Sequence, residues 1–233
     1  MSDPIRVALV GATGLVGRAI VDLCVGREDV RLTALARREM QLPKGARMEM
    51  FVADPDRWAD VFEAVRPNVL VSALGTTWKK AGESEDAFRA VDQHLVLDTA
   101  RAALEHGTQR MVSVSSVGAD AFAKSFYLKV KGEVDRELRG MAFKRLDILR
   151  PGLLVGRRDG DRRAMERAGI LASPLINIGL HGSYRRFRAI KAKIVARAAL
   201  AAARKSSTGK FVYENDAIVR LSDSLPEPMA GEA

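Results

Sequence analysis

The chain has 233 residues, 47% of them hydrophobic and 29% charged, and carries a formal net charge of +9. That apolar share suffices for one well-buried α/β core, and a single cysteine, Cys24, excludes an internal disulfide or a cysteine-built zinc site. No apolar run reaches the ~20 residues of a membrane span, Gly169 to Leu180 being broken by Pro174, and the N-terminus enters a strand pattern directly instead of a secretory leader. The expectation is a soluble, cytoplasmic protein.

Ile5 to Val10 reads as a strand, Gly11-Ala12-Thr13-Gly14-Leu15-Val16-Gly17 as a glycine-punctuated turn, and Leu15 to Val25 as a helix. Strand, turn and helix in that order form a dinucleotide-binding unit. Gly11 permits a tight turn, Gly14 lets the backbone approach a pyrophosphate, and Gly17 lets the helix lie close on the sheet. The phosphates then meet free amides and the positive end of the helix.

The second strand, Val30 to Ala36, ends at Arg37-Arg38. A guanidinium at this point suits a ribose 2′-phosphate, whereas an acid suits the free 2′-hydroxyl. NADP(H) is therefore favoured over NAD(H), with Glu39 and Asp54 as the acids that keep the alternative open. Met48 to Ala53 reads as a third strand, and Asp54 just beyond it is placed to reach an adenine amino group.

Trp58 to Val65 is a short amphipathic helix and Val69 to Ser72 a fourth strand. Its exit through Leu74, Gly75, Thr76 and Thr77 falls at the carboxyl edge of the sheet, where Gly75 allows backbone to approach a ribose. Trp78 to Glu83 reads as a loop closing over substrate, and Ser84 to His106 as one long helix ended by Gly107. Arg110 to Ser115 is the fifth strand, Tyr127 to Leu138 the next helix, and Leu146 to Leu149 the sixth strand, followed by Arg150-Pro151-Gly152.

Strands alternating with helices predict a doubly wound parallel sheet with right-handed crossovers. Beyond it, Ala192 to Lys205 reads as an alanine-rich helix and Thr208 to Tyr213 as a late strand. Residues 1–223 form one domain, with 153–205 supplying a small C-terminal substrate lobe and 224–233 a flexible tail.

Tyr127 and Lys131, four apart, share one face of their helix. Reduction of a ketone needs a proton donor as hydride arrives, and oxidation of an alcohol needs a base. A nearby ammonium favours the phenolate, and a serine hydroxyl from the end of strand five, Ser115 or Ser116, would hold the substrate oxygen. His94, His106 and His181 show no metal-ligand spacing, so no metal site is expected.

The glycine turn together with Tyr127-Leu128-Lys129-Val130-Lys131 resembles the short-chain dehydrogenase/reductase superfamily in its extended and atypical branches. More narrowly, Leu74-Gly75-Thr76-Thr77, Val91-Asp92, Ser115-Ser116-Val117-Gly118 and Arg150-Pro151-Gly152 resemble the Tat-interacting oxidoreductase-like proteins, an NADPH-binding atypical branch. The resemblance implies a Rossmann-type fold and a cofactor held by Gly11, Thr13, Gly14, Leu15, Val16, Gly17, Arg37, Arg38, Leu74, Gly75, Pro151 and Gly152. Ser116, Tyr127 and Lys131 would carry catalysis. Many relatives place an Asn where this chain has Asp92.

Three alternatives accompany an oxidoreductase acting on a carbonyl or secondary alcohol. One is an NADPH-binding regulator of a protein partner that does not turn over. A second is a sugar-nucleotide epimerase or dehydratase, which shares the glycine pattern but needs a large C-terminal lobe. The third is membrane-surface docking through Gly169 to Arg188. The basic excess falls after residue 150, from Arg157 to Arg197, and suggests an anionic substrate or a solvated face more than nucleic acid, for which no recognition motif is present. Pairing into a homodimer through helices is a further implication of the resemblance.

Overall fold

The computed structural model describes residues 3–156 and 182–228. A seven-stranded sheet runs in the order β3-β2-β1-β4-β5-β6-β9. Its strands are Ile5–Val10 (β1), Val30–Ala36 (β2), Glu49–Val52 (β3), Val69–Ser72 (β4), Arg110–Val114 (β5), Arg145–Arg150 (β6) and Gly209–Glu214 (β9). Every neighbouring pair is parallel. A separate two-stranded sheet joins Leu154–Val155 (β7) to Ile190–Lys191 (β8).

The helices are Leu15–Leu23 (α1), Trp58–Val65 (α2), Glu85–Arg89 (α3), Leu95–Glu105 (α4), Phe126–Gly140 (α5), Ala192–Ala203 (α6) and Asn215–Asp223 (α7). Each central strand is apolar on both faces, as a sheet covered on both sides requires. Val7, Leu9, Val69 and Val71 enter a core shared with α1, α6 and α7. Ala8, Val10, Leu70 and Met111 enter the opposite core with α2, α4 and α5. Alanine suits α6 because short side chains let it lie close against α1, and every alanine from Ala198 to Ala203 is buried. Cys24 is buried beneath α1, as expected of a small apolar residue there.

The strand order reverses between β1 and β4, so the crevice at the carboxyl ends of these two strands is where such a sheet takes a ligand. The helix expected over Ser84 to His106 is not uniform. A five-residue π-helical segment, Ala90–His94, separates α3 from α4, and Asp92 lies at its centre. Helix α7 was not anticipated, because only Ile218 and Leu221 mark its buried apolar stripe.

The C-terminal segment expected to fray from Ser224 is anchored as far as Glu227. Leu225 is buried, its carbonyl accepts from Arg197 Nη2 at 3.2 Å, and Pro226 O accepts from Arg27 Nη1 at 3.0 Å. Residues 157–181, nearly half of the expected substrate lobe and most of the expected membrane-docking stretch, lie outside the described residues. No described helix is long and apolar enough to cross a membrane.

Candidate active site

Gly11 adopts φ +84, and a Cβ there would stand 2.5 Å from the carbonyl carbon of Ala73. At Gly17 a Cβ would come within 2.1 Å of Gly11 O. Both contacts are with backbone, which cannot yield as a side chain can, so this turn admits no side chain at either position. Gly14 N donates to Gly11 O at 3.0 Å and Arg18 N to Gly14 O at 2.8 Å, which closes the turn directly into α1. No side chain caps the start of α1, so its first amides remain available to an anion. Thr13 is exposed at the turn's tip, Leu15 is half-buried and Val16 is buried. The cradle fits a pyrophosphate because it is built from backbone that approaches backbone.

Arg37 and Arg38 are both exposed immediately after β2. Asp54 is also exposed, directly past β3, and its backbone carbonyl accepts from Arg57 N at 3.0 Å. Among the described residues, none of these three side chains has a hydrogen bond or ion pair. They stand at the ends of adjacent strands, β2 and β3.

The exit of β4 carries the strongest electrostatic feature. Lys131 Nζ, on α5, lies 2.7 Å from Asp92 Oδ1, and both side chains are buried, at 7% and 1% exposure. The other carboxylate oxygen of Asp92 accepts from Thr76 N at 2.7 Å. Gly75 sits over the pair: a Cβ there would be 3.5 Å from Asp92 Oδ1 and 3.8 Å from Lys131 Nζ. Burial alone pushes the Lys131 ammonium toward losing its proton, but Asp92, the Tyr127 phenol and Asp135 outweigh it, and the pKa is raised above its ordinary value. A π-helical segment is a frequent marker of function, and here it turns Asp92 inward.

Tyr127, one turn earlier on α5, is 40% exposed and open to a substrate. Its ring meets the fully buried Phe88 edge-on, with centroids 5.7 Å apart. Trp78 packs on the same group, 5.6 Å from Phe126 and 6.4 Å from Phe88. The Trp78 loop, expected to close over substrate, is thus tied to the base of α5 while the indole stays 43% exposed.

The two candidate serines face different surroundings. Ser115 is buried beside Asp135, close enough to draw that carboxyl's pKa downward but without full hydrogen-bond geometry. Ser116 is half-exposed, and its hydroxyl makes only a long 3.4 Å bond to Val117 O. Asp135 is held by Arg150 Nε at 2.8 Å, yet burial dominates and keeps its pKa above the usual carboxylate value. Tyr127, Lys131 and Asp135 follow at intervals of four, so the spacing that identified the first two also leads to the third. Pro151 O accepts from Val117 N at 2.9 Å, which ties the Pro151-Gly152 turn to the serine loop. Leu74, by contrast, is half-buried against the core of α2, α4 and α5.

Several arginines of the basic C-terminal third are already paired: Arg185 with Asp216 at 3.2 Å, Arg186 with Glu214 at 3.9 Å and Arg197 with Glu227 at 2.9 Å. Among the described residues of that region, these three guanidiniums are less of a free cationic surface than composition suggests. No cluster of three or more metal-ligating side chains occurs among the described residues.

The chain matches the NAD(P)H-binding family over residues 11–177. Curated relatives include "Protein fmp52, mitochondrial" of Emericella nidulans, 33% identical over 212 residues that cover 88% of this chain and 90% of the relative. "Protein FMP52, mitochondrial" of Candida albicans is 31% identical over 229 residues, covering 93% and 98%. Among solved structures, a putative NAD-dependent epimerase/dehydratase from Bacillus halodurans superposes with a TM-score of 0.67 at 23% identity, over 95% of this chain and all 100% of its own. A UDP-glucose 4-epimerase of Thermus thermophilus in complex with NAD gives a TM-score of 0.67 at 18% identity, over 95% and 82%. At these identities the superpositions establish the fold.

The relatives' names overturn the cytoplasmic expectation, since those proteins are mitochondrial. One reduced cysteine does not tell one reducing compartment from another. The glycine cradle, the reversal of strand order and these relatives agree: the chain belongs to the NAD(P)H-binding family, as a short-chain dehydrogenase/reductase-like protein of the atypical group that includes Fmp52.

Proposed function

We propose that the chain is an NADP(H)-dependent oxidoreductase acting on the carbonyl or secondary alcohol of a small molecule through Ser116, Tyr127 and Lys131. The observation that carries this reading is the placement of an exposed Tyr127 phenol and a buried, charged Lys131 on one face of α5, beside Gly75 at the reversal point of the sheet. Gly11, Gly14 and Gly17 would hold the pyrophosphate, Gly75 and Lys131 the nicotinamide ribose, Asp54 the adenine, and Arg37 or Arg38 a 2′-phosphate.

When bound, the nicotinamide supplies or accepts the hydride. Ser116 Oγ holds the substrate oxygen, and Tyr127 gives that oxygen its phenolic proton in reduction or takes it back in oxidation. Lys131, kept protonated by its carboxylate neighbours, orients the ribose and presents its charge one turn from Tyr127. The half-exposed Ser116 is better placed for substrate than Ser115, which faces Asp135.

The test is calorimetric titration with NADPH and NADH, followed by turnover of Tyr127→Phe on a panel of carbonyls. Tighter NADPH binding, and lost turnover with binding retained, are expected. Unchanged turnover overturns the catalytic role of Tyr127. A second reading, an NADPH-binding regulator without turnover, is supported by Asp92, whose charge offsets the one Lys131 would exert on Tyr127. It requires tight binding with no turnover by the unmodified chain on any carbonyl.

A further inference from the structure

The amino ends of the strands, opposite the glycine cradle, line a half-open concavity of about 680 Å³. Arg6, Arg66, Arg110 and Lys144 converge on it from β1, the end of α2, β5 and the entry to β6. In a doubly wound sheet this is the end remote from cofactor chemistry. Nothing in the cofactor reading uses these side chains.

Arg6, Arg66 and Lys144 are exposed there and Arg110 is half-buried. Among the described residues, none of the four lies within ion-pair distance of a carboxylate, although Glu63 and Glu105 line the same cavity. Arg6 Nε donates to the Arg66 carbonyl at 3.0 Å. Arg110 Nη1 is shared between the carbonyls of Ala203 and Lys205, each at 3.2 Å, and its other nitrogens have no hydrogen bond among the described residues. Behind it, Arg145 is fully engaged by Asp147 and Ser207, so it contributes charge without needing a further partner. Burial and the charge of Arg145 both push the Arg110 pKa down, the mark of a guanidinium with no anion nearby.

Helix carbonyl ends account for part of this arrangement, since cations gather where helices terminate. They do not account for Lys144, whose side chain has no hydrogen bond or ion pair. A volume of about 680 Å³ is that of a small-ligand site and far larger than a water pocket. Guanidinium forks together with a mobile ammonium suit phosphate oxygens.

We propose that this cavity binds a small phosphorylated metabolite, independently of the nicotinamide cofactor. The experiment is an amide NMR titration of the full chain with inorganic pyrophosphate, in the presence and absence of NADPH. Saturable shifts of the Gly107, Gln109 and Lys144 amides, unaltered by NADPH, are expected, with affinity at least several-fold weaker in Lys144→Gln and in Arg66→Gln. Shifts confined to the Gly14 to Gly17 amides mean that pyrophosphate reads only the cofactor cradle and overturn the proposal. So do cavity shifts that sodium chloride reproduces at matched ionic strength, or that survive both substitutions. Because the two groups of amides are far apart in sequence and at opposite ends of the sheet, failure here and failure of NADPH binding are separately visible.

Discussion

Lys131 Nζ and Asp92 Oδ1 form a 2.7 Å ion pair from which solvent is almost wholly excluded. Asp92 is a carboxylate, so it offsets at its source the positive charge that Lys131 brings to the Tyr127 phenol. Asp92→Asn keeps an acceptor for Thr76 N while removing the negative charge. At neutral pH the Lys131 ammonium then acts on Tyr127 with only the more distant Asp135 to offset it. The pH–rate limb for alcohol oxidation moves to lower pH, each unit corresponding to about 1.4 kcal/mol. A limb that stays in place or moves to higher pH refutes the coupling.

The same pair sets an alkaline stability limit. Lys131 is held above its ordinary value of 10.5, so its contribution to stability is complete below that pH and is lost as pH rises through the higher folded value. In Asp92→Asn the burial of Lys131 is opposed by fewer charges, and its pKa falls. The variant is weaker at pH 7 by up to about 3–5 kcal/mol, the range for breaking a buried pair, and with the folded pKa lowered it has less stability to lose, or even some to regain, as pH rises. Urea denaturation from pH 7 to above pH 10.5 measures both effects, the gap between parent and variant closing as pH rises; parallel pH profiles for the two proteins contradict the assignment.

Phe88 should act on catalysis without touching substrate. It is fully buried and meets Trp78, Phe126 and Tyr127 edge-on or tilted. Phe88→Ala is expected to cost about 3–5 kcal/mol of stability and to release the Tyr127 ring. Phe88→Leu keeps most of the volume and lets the two effects be separated. In the leucine variant kcat falls while the KM for NADPH holds, since the cradle is on β1 and α1. An equal change in both constants would mark Phe88 as merely structural.

Much of this architecture is legible in the chain itself. Ile5 to Val10, Val30 to Ala36, Trp58 to Val65 and Val69 to Ser72 have the boundaries that their apolar periods predict, the first three because each is bounded by glycine, proline or charge. Tyr127 and Lys131 share a face, as their spacing requires. Asp135 has the same spacing but reads as an ordinary helix acid until burial and Arg150 distinguish it. The π-helical segment at Asp92 leaves no linear signature, since one extra residue in a turn shifts the register without altering composition. The cationic cavity is less visible still: Arg6, Arg66, Arg110 and Lys144 are scattered through the chain, whereas the obvious arginine-rich third contains partners for several of its own charges.

The glycines separate close packing from backbone conformation. At Gly17 a Cβ would meet Gly11 O at 2.1 Å, so Gly17→Ala must push α1 off the turn, at a cost of about 1–3 kcal/mol or more, and weaken NADPH binding. Gly26 has φ +73 but open space around it, and Gly26→Ala costs only the left-handed penalty of about 1–2 kcal/mol with cofactor affinity unchanged. Denaturation paired with NADPH calorimetry distinguishes the two. Equal cofactor affinity in both variants removes the cradle from the account.

Cys24 offers an internal reporter of opening. It is 7% exposed, and burial, partly countered by Arg27, pushes its thiol pKa up to about 12. Since the thiolate is the reactive form, only about one ten-thousandth is reactive at pH 8, and the folded chain should resist iodoacetamide for as long as it remains closed. An unfolded thiol near its ordinary pKa reacts readily, so the labelling rate follows the population of open chain. NADPH, if it binds the closed form, slows labelling in proportion to its stabilisation of that state. Gly17→Ala, which weakens both packing and binding, accelerates labelling and blunts the protection by NADPH. Rapid labelling of the intact chain at pH 8 would show that α1 does not cover Cys24 as described.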